Sequence, residues 1–332
     1  MRKKIEERES IFLSKYATKS IDGLRKKEVP EDEYRTSFQI DRDKIYHSTA
    51  FRRLAHKTQV FTIPKNDHIR TRLTHTMEVS QIARSIATGI DANEDLTEAI
   101  ALGHDLGHTA FGHSGEFVLN NILKDFGGFN HSEHSVKVVE FLEREGKGLN
   151  LTIQTIDGIK NHGTKSVPNT IEGEIVKLSD KVAYVNHDLE DSLTLGIIKE
   201  DDLKSLKLNY LGLDRKEYVN IIIKNVISQS QNTPHINIDK DIYDDIYNLR
   251  SFLIKNVYES TEKDVAYYKS EFILKSLFEH FMKNPDEMTS FFFKRFEDEH
   301  IKEIVICDYL ASMTDRYAIT LFESVFIPKP WE

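Results

Sequence analysis

Cysteine occurs once in 332 residues, at Cys307, so no disulfide can form within the chain. That scarcity suits a reducing compartment, and the cytoplasm is the expected location. Proline (7) and glycine (15) are also scarce, and strand-like alternation of apolar and polar residues is hard to find, which argues against a sheet. No apolar run approaches the ~18 residues that a membrane span needs. The charged start, MRKKIEERES, lacks the apolar segment of a secretory signal. Positive charge is not in excess either. Lys and Arg number 45 against 54 Asp and Glu, a formal charge of −9 and a poor match to duplex nucleic acid.

What is present is helical periodicity. His75, Val79, Ile82 and Ile86 recur at one helical face over 73–90, and Leu96, Ile100 and His104 do so over 94–105. Similar stripes predict helices near 114–125, 133–145, 151–161, 171–192, 214–228, 240–257, 263–283 and 298–322. Breaks fall at Gly127-Gly128, at Gly146 with Gly148, and over 162–169. The expected fold is all-α, with a catalytic core over 1–200 and a helical support or oligomerisation region over 201–332, or one continuous domain. A local concentration of Arg52, Arg53, Lys57, Lys65, Arg70 and Arg72 suggests a basic pocket for a small phosphorylated ligand, or a solvated face.

Eight of the 14 histidines lie between 75 and 187, and only His235, His280 and His300 follow residue 195. A buried imidazole needs partners for its ring nitrogens. His75 and His104 both sit on apolar stripes, and Asp105 follows His104 directly. A shared divalent metal satisfies all three. In EGEIVKLSDKVAYVNHDLED, Asp180 lies on a second face with Val176, Tyr184 and Asp188, where it is a candidate fourth ligand or an arginine partner.

The order His75, His104-Asp105, Asp180 resembles the metal signature of the HD superfamily of phosphohydrolases. DRDKIYHSTAFRRLAHKTQVF, RTRLTHTMEVSQIAR and HDLGHTAFGHSGE together resemble its dNTP triphosphohydrolase branch, the deoxyguanosine-triphosphatase-like proteins, over about 35–195. The resemblance implies an HD helical bundle with additional C-terminal helices. It also implies four metal ligands, His75, His104, Asp105 and Asp180, holding Mn²⁺ or Mg²⁺, or alternatively Fe, Co, Ni or Zn. The implied reaction is attack of water on the α-phosphate, giving deoxynucleoside and triphosphate.

The same resemblance puts His108 and His113 against the α-phosphate, with His113 favoured as the general acid. It aligns His131, Glu133 and His134 with a catalytic His/Glu element without fixing which residue carries the role. Arg72 matches a phosphate-binding arginine, with Arg53 and Arg70 as weaker candidates. Gln59 matches a reader of the 3′-hydroxyl, and Tyr184 and Asp188 match residues on the sugar. Lys181 departs from the acidic residue common there and resembles branches in which a lysine contacts phosphate, which leaves broad dNTP use open beside dGTP specificity. A homo-oligomer such as a hexamer, a dNTP effector at a separate site and single-stranded DNA are further implied partners, and Trp331 is either an interface anchor or a tail residue. The competing readings are an HD nucleotidase or phosphodiesterase on other nucleotides and a non-catalytic nucleotide or nucleic-acid binding module.

Overall fold

The computed structural model describes the chain except residues 62–65, 164–165, 205, 207, 209, 211–216, 259–260 and 329–332, and the side chains of 261–266. Lys65 and Trp331 therefore lie outside the described residues. Sixteen α-helices are found among those described: α1 Arg2–Phe12, α2 Ser37–Tyr46, α3 Thr49–Arg53, α4 Arg72–Gly89, α5 Glu94–Gly103, α6 Gly112–Ile122, α7 His131–Lys137, α8 Ile153–Asn161, α9 Ile171–Thr194, α10 Glu200–Leu203, α11 Tyr218–Ser230, α12 Lys240–Leu253, α13 Thr261–Lys283, α14 Ser290–Asp298, α15 Lys302–Ala311 and α16 Asp315–Phe326. No strand accompanies them among the described residues, only isolated bridges at Arg25–Thr152 and Thr58–Thr71. The fold is all-α. No described helix is long and apolar enough to cross a membrane.

Three helices set the frame. Thr71 and Thr74 cap each other's backbone at the start of α4, Asn93 Oδ1 accepts from Leu96 N to start α5, and Thr170 Oγ1 accepts from Gly173 N to start α9. Their apolar stripes meet in one core containing Val79, Ile82, Ile86, Leu96, Ile100, Ile175 and Val182. That burial, rather than helix propensity, holds the three together. A second core, with Phe111 and Leu119 beside Leu277, Phe281 and Leu310, packs α6 on the C-terminal helices.

The single helix anticipated over 298–322 is divided into α15 and α16. Thr314 Oγ1 accepts from Tyr317 N and Asp315 follows in the first turn, so local capping overrides the continuing apolar period. Asp315 also accepts from Thr58 N (3.0 Å) and Phe111 N (2.8 Å), clamping two loops that border the site. Phe111 is left-handed (φ 63°), a conformation with a cost of ~1–2 kcal/mol that this bond helps to hold.

Asp308 ties α15 to the rest. It accepts from Lys137 Nζ (2.6 Å) and Arg295 Nη2 (2.8 Å) and lies 3.3 Å from His134 Nε2. Burial alone would raise its pKa, but His134, Lys137 and Arg295 outweigh it and hold the carboxyl down to about 2, against an ordinary 3.8. A depressed carboxyl stabilises the fold fully above its unfolded value and loses that contribution as pH falls through the folded one. Asp308→Asn is therefore expected to lower stability by about 3 kcal/mol near pH 7. In urea titrations its gap from the parent protein should narrow between about pH 3.8 and 2; a gap independent of pH would contradict the assignment.

Candidate metal centre

The first turn of α4, the end of α5 and the middle of α9 converge on one point. His75 Nε2 lies 3.2 Å and His104 Nε2 3.8 Å from Asp180 Oδ1. Each ring is oriented from behind. His104 Nδ1 donates to the Ala101 carbonyl (2.6 Å), which leaves Nε2 as a lone pair. His75 Nδ1 lies 2.8 Å from His187 Nε2, and His187 Nδ1 lies 2.7 Å from Asp188 Oδ1. Tyr258 donates to the other oxygen of Asp188. With His75 Nδ1 donating to His187 Nε2, His75 also presents a bare Nε2, the form that a metal-binding imidazole takes.

His104 Nε2 is fully buried and has no hydrogen-bond partner among the described residues, a condition that costs free energy unless something else satisfies it. His75, His104 and Asp180 together form a donor set compact enough for one metal ion. Asp105 stands beside them, with Oδ1 3.4 Å from His104 Nε2 and Oδ2 3.7 Å from His75 Nε2. Its Oδ2 also accepts from Arg72 Nη1 (2.7 Å). Burial raises the pKa of Asp180, yet the His75 contact and the neighbouring imidazoles reverse this and keep the carboxyl well below its usual range. Asp105 is held low in the same way by His104, His108 and Arg72. Both carboxylates are therefore charged, as metal ligands must be.

Arg72, His75, Asp105 and Asp180 line a cavity of about 390 Å³, within the range of small-molecule sites. On its far wall His108 stacks on His131 with ring centres 4.0 Å apart. This is possible because Gly107 brings the turn after Asp105 close to α7. A Cβ there would sit 2.1 Å from Ser135 N and 2.5 Å from the His131 carbonyl. Glu116 gathers two more histidines: its Oε1 is 2.8 Å from His131 Nδ1 and its Oε2 is 3.4 Å from His113 Nδ1. Burial disfavours its charge, but His113 and His131 keep it ionised. His131 is raised because the Glu116 contact outweighs its own burial, while burial beside other imidazoles drops His162 to about 4.

Gln59, Arg72, Lys181, Tyr184 and Asp188 line the same cavity, as do His108, His113 and His131. Glu133, His134 and Arg53 do not. Asn130 caps α7 by accepting from Ser132 N and Glu133 N, so His131 faces the cavity and Glu133 faces solvent. His134 turns back to the Gly107 carbonyl (3.0 Å) and to Asp308. Arg53 borders a different cavity, with Lys57 and Arg144. Of the basic group around residues 52–72, Arg72 alone among the described residues reaches the site. Arg70 is bound to Glu78, Glu190 and Asp191, and Lys57 donates to the carbonyls of His108 and Ala311.

The HD domain family model matches residues 72–185, and the phosphohydrolase-associated domain model matches 236–324. Three relatives carry the name deoxyguanosinetriphosphate triphosphohydrolase-like protein. One from Caldanaerobacter subterraneus subsp. tengcongensis is 48% identical, covering 98% of this chain and 96% of its own length. Those from Clostridium perfringens (strain SM101 / Type A) and Desulfatibacillum aliphaticivorans are 44% and 42% identical, each over 99% of this chain and 98% and 99% of their own. This chain belongs to the deoxyguanosinetriphosphate triphosphohydrolase-like family. It is an HD-domain hydrolase.

For an HD-domain hydrolase, the residues that sequence reasoning missed are informative. Glu116 lies three positions after His113, a helical contact spacing that could have marked it. His187 lies two turns beyond Asp180 in a second His-Asp pair. Lys177, Arg250 and Tyr258 also line the cavity; the last two come from the C-terminal half, and no local pattern points to them. Removing an outer hydrogen-bond partner of a metal-binding histidine typically weakens affinity 10–100-fold. His187→Ala should therefore weaken Mn²⁺ binding to metal-stripped protein by about 10–100-fold in calorimetry; unchanged affinity would show that His75 needs no such support.

Proposed function

We propose that this protein hydrolyses deoxynucleoside triphosphates at the α-phosphate, releasing the deoxynucleoside and intact triphosphate. One observation carries the reading: the His75–His104–Asp180 cluster opens into a cavity that is also lined, among the described residues, by four cations, Arg72, Lys177, Lys181 and Arg250. That pairing suits a polyphosphate whose reacting end meets an ion and whose remaining charge meets the cations. The mixed imidazole and carboxylate donors, His75, His104, Asp105 and Asp180, favour manganese or a neighbouring transition ion over magnesium. When bound, the ion supplies Lewis-acid chemistry, polarising a phosphoryl oxygen and acidifying the attacking water.

The chain's own residues do the rest. Arg72 is 1% exposed and already oriented by Asp105, and its Nε has no partner among the described residues. A guanidinium fixed in this way offers its free edge to phosphate with little ordering cost. His113 stands at the exposed margin, where Glu116 holds its Nδ1 and leaves Nε2 to protonate the departing 5′-oxygen. Tyr184 stays neutral, because burial foremost pushes its hydroxyl up to about 12, and its ring presents a flat face to the deoxyribose. Gln59, whose buried Oε1 lacks a partner among the described residues, is suited to accept from the sugar 3′-hydroxyl. Lys181, in place of an acidic residue, favours use of several dNTPs.

Incubation with each dNTP singly and with all four mixed, in Mn²⁺, should release triphosphate and deoxynucleoside on ion-exchange chromatography. Orthophosphate or pyrophosphate without triphosphate would instead favour a nucleotidase or phosphodiesterase. Asp180→Ala should abolish release. His113→Gln should lower kcat by about 10²–10⁴-fold with KM changed little; a kcat within two- or three-fold of the parent would remove His113 as the acid.

A further inference from the structure

A second cavity, of about 670 Å³, lies apart from the metal centre, and the two share no described lining residue. Two cations reach it from the segment before α4. Lys57 is 2% exposed and donates from Nζ to the carbonyls of His108 and Ala311. An ammonium has three donors, so one remains, and carbonyls leave its net charge in place. Arg53 lines the same wall, with a buried Nε that has no partner among the described residues. Glu143 also borders the cavity, but its oxygens accept from Thr49 N (3.2 Å) and Ala50 N (2.6 Å), and it acts on Arg53 only through space. Burial foremost, and then Arg53, hold the Lys57 ammonium well below its ordinary range. Two like charges thus sit close together in a place that water reaches poorly, which is costly unless a negative group joins them.

The remaining walls add to the positive side. The nine-residue α14 begins at this cavity: Thr289, Phe291 and Phe292 line it, and Thr289 makes no side-chain cap. The first amides of α14, at the positive end of its dipole, therefore lack a side-chain acceptor. Arg144 and Lys147 stand exposed at the margin. The loop that carries them holds Arg144 and Glu145 in the left-handed region, at φ 56° and 53°.

We propose that this second cavity binds an inorganic phosphate chain, pyrophosphate or triphosphate, at a site separate from the metal centre. Arg53 offers a planar fork to two phosphoryl oxygens, and Lys57 supplies its third donor. The start of α14 adds amides of the kind that hold phosphate at helix N-termini. Arg144 and Lys147 meet the outer phosphoryl group. The lining offers little to a nucleobase. Among the described residues it holds no Asn or Gln, the Glu143 oxygens are taken by α3, and the Phe291 ring packs on Phe292 and Phe141 at 5.1 and 6.2 Å. The wall reads charge. The inference does not rest on the reaction proposed for the metal centre.

Metal-stripped full-length protein, kept in chelator, is titrated with sodium triphosphate and with pyrophosphate in a calorimeter, with folding of each variant checked by circular dichroism. Loss of a charge-assisted hydrogen bond costs about 10–100-fold in affinity, so Arg53→Gln should weaken triphosphate binding by that factor. Lys147→Ser, at the exposed margin, should weaken it about 2–5-fold. Arg250→Ala, on the wall of the other cavity, should leave it unchanged. Binding that survives Arg53→Gln but is lost in Arg250→Ala overturns the proposal, because the anion then sits at the metal centre. Binding of dATP or dGTP that needs Arg53, with neither inorganic anion bound, overturns it too. Parent crystals soaked in tungstate, a stand-in for phosphate, decide the matter even where a variant fails to fold. An anomalous peak within hydrogen-bond reach of Lys57 Nζ and the Arg53 guanidinium is expected. Tungsten found only in the metal-centre cavity, or in neither, contradicts the assignment.

Discussion

The structure depends on a simple constraint: a buried imidazole can satisfy only one ring nitrogen with a fixed acceptor, and the other must point somewhere useful. His104 gives Nδ1 to Ala101 and His75 gives Nδ1 to His187, so both Nε2 atoms are turned toward Asp180. The arrangement is costly without a metal ion, because Arg72 meets only Asp105 of the two carboxylates while Asp180 and a nitrogen with no partner among the described residues crowd the same place. Its persistence in a well-packed bundle is the physical argument for metal chemistry. The apolar stripes of α4, α5 and α9 supply the burial that sustains it.

The C-terminal helices are part of this arrangement rather than an accessory. Tyr258 reaches Asp188 and, through His187, the ring of His75, while Arg250 joins the cavity wall. Asp315 secures both the Thr58 segment and Phe111, and Asp308 secures α7. A change far along the sequence thus reaches the site through direct contacts. The phosphohydrolase-associated match over 236–324 covers many of these supports.

Much of the site was legible in the sequence because histidine is conspicuous on an apolar stripe. His75 and His104 stand out against Val79 and Ile100, and Asp180 against Val176 and Tyr184. The helical class and the glycine breaks were legible for the same reason: Gly127, Gly128, Gly146 and Gly148 all adopt positive φ. The register of NHSEHS was not, since helical periodicity admits either histidine and only the Asn130 cap decides. Arg53 misled because its charge is visible and its direction is not; Thr49–Arg53 forms a separate short helix that turns it to another cavity. Arg250 and Tyr258 meet Tyr184 and Asp188 across more than sixty residues, and one sequence carries no signal for such a contact.

The most direct test of the account is anomalous X-ray scattering from crystals of the metal-stripped protein soaked in Mn²⁺. A manganese peak bounded by His75 Nε2, His104 Nε2 and the Asp180 carboxylate is the predicted result. Manganese found only elsewhere, with those three groups bonded to protein or water alone, would contradict it.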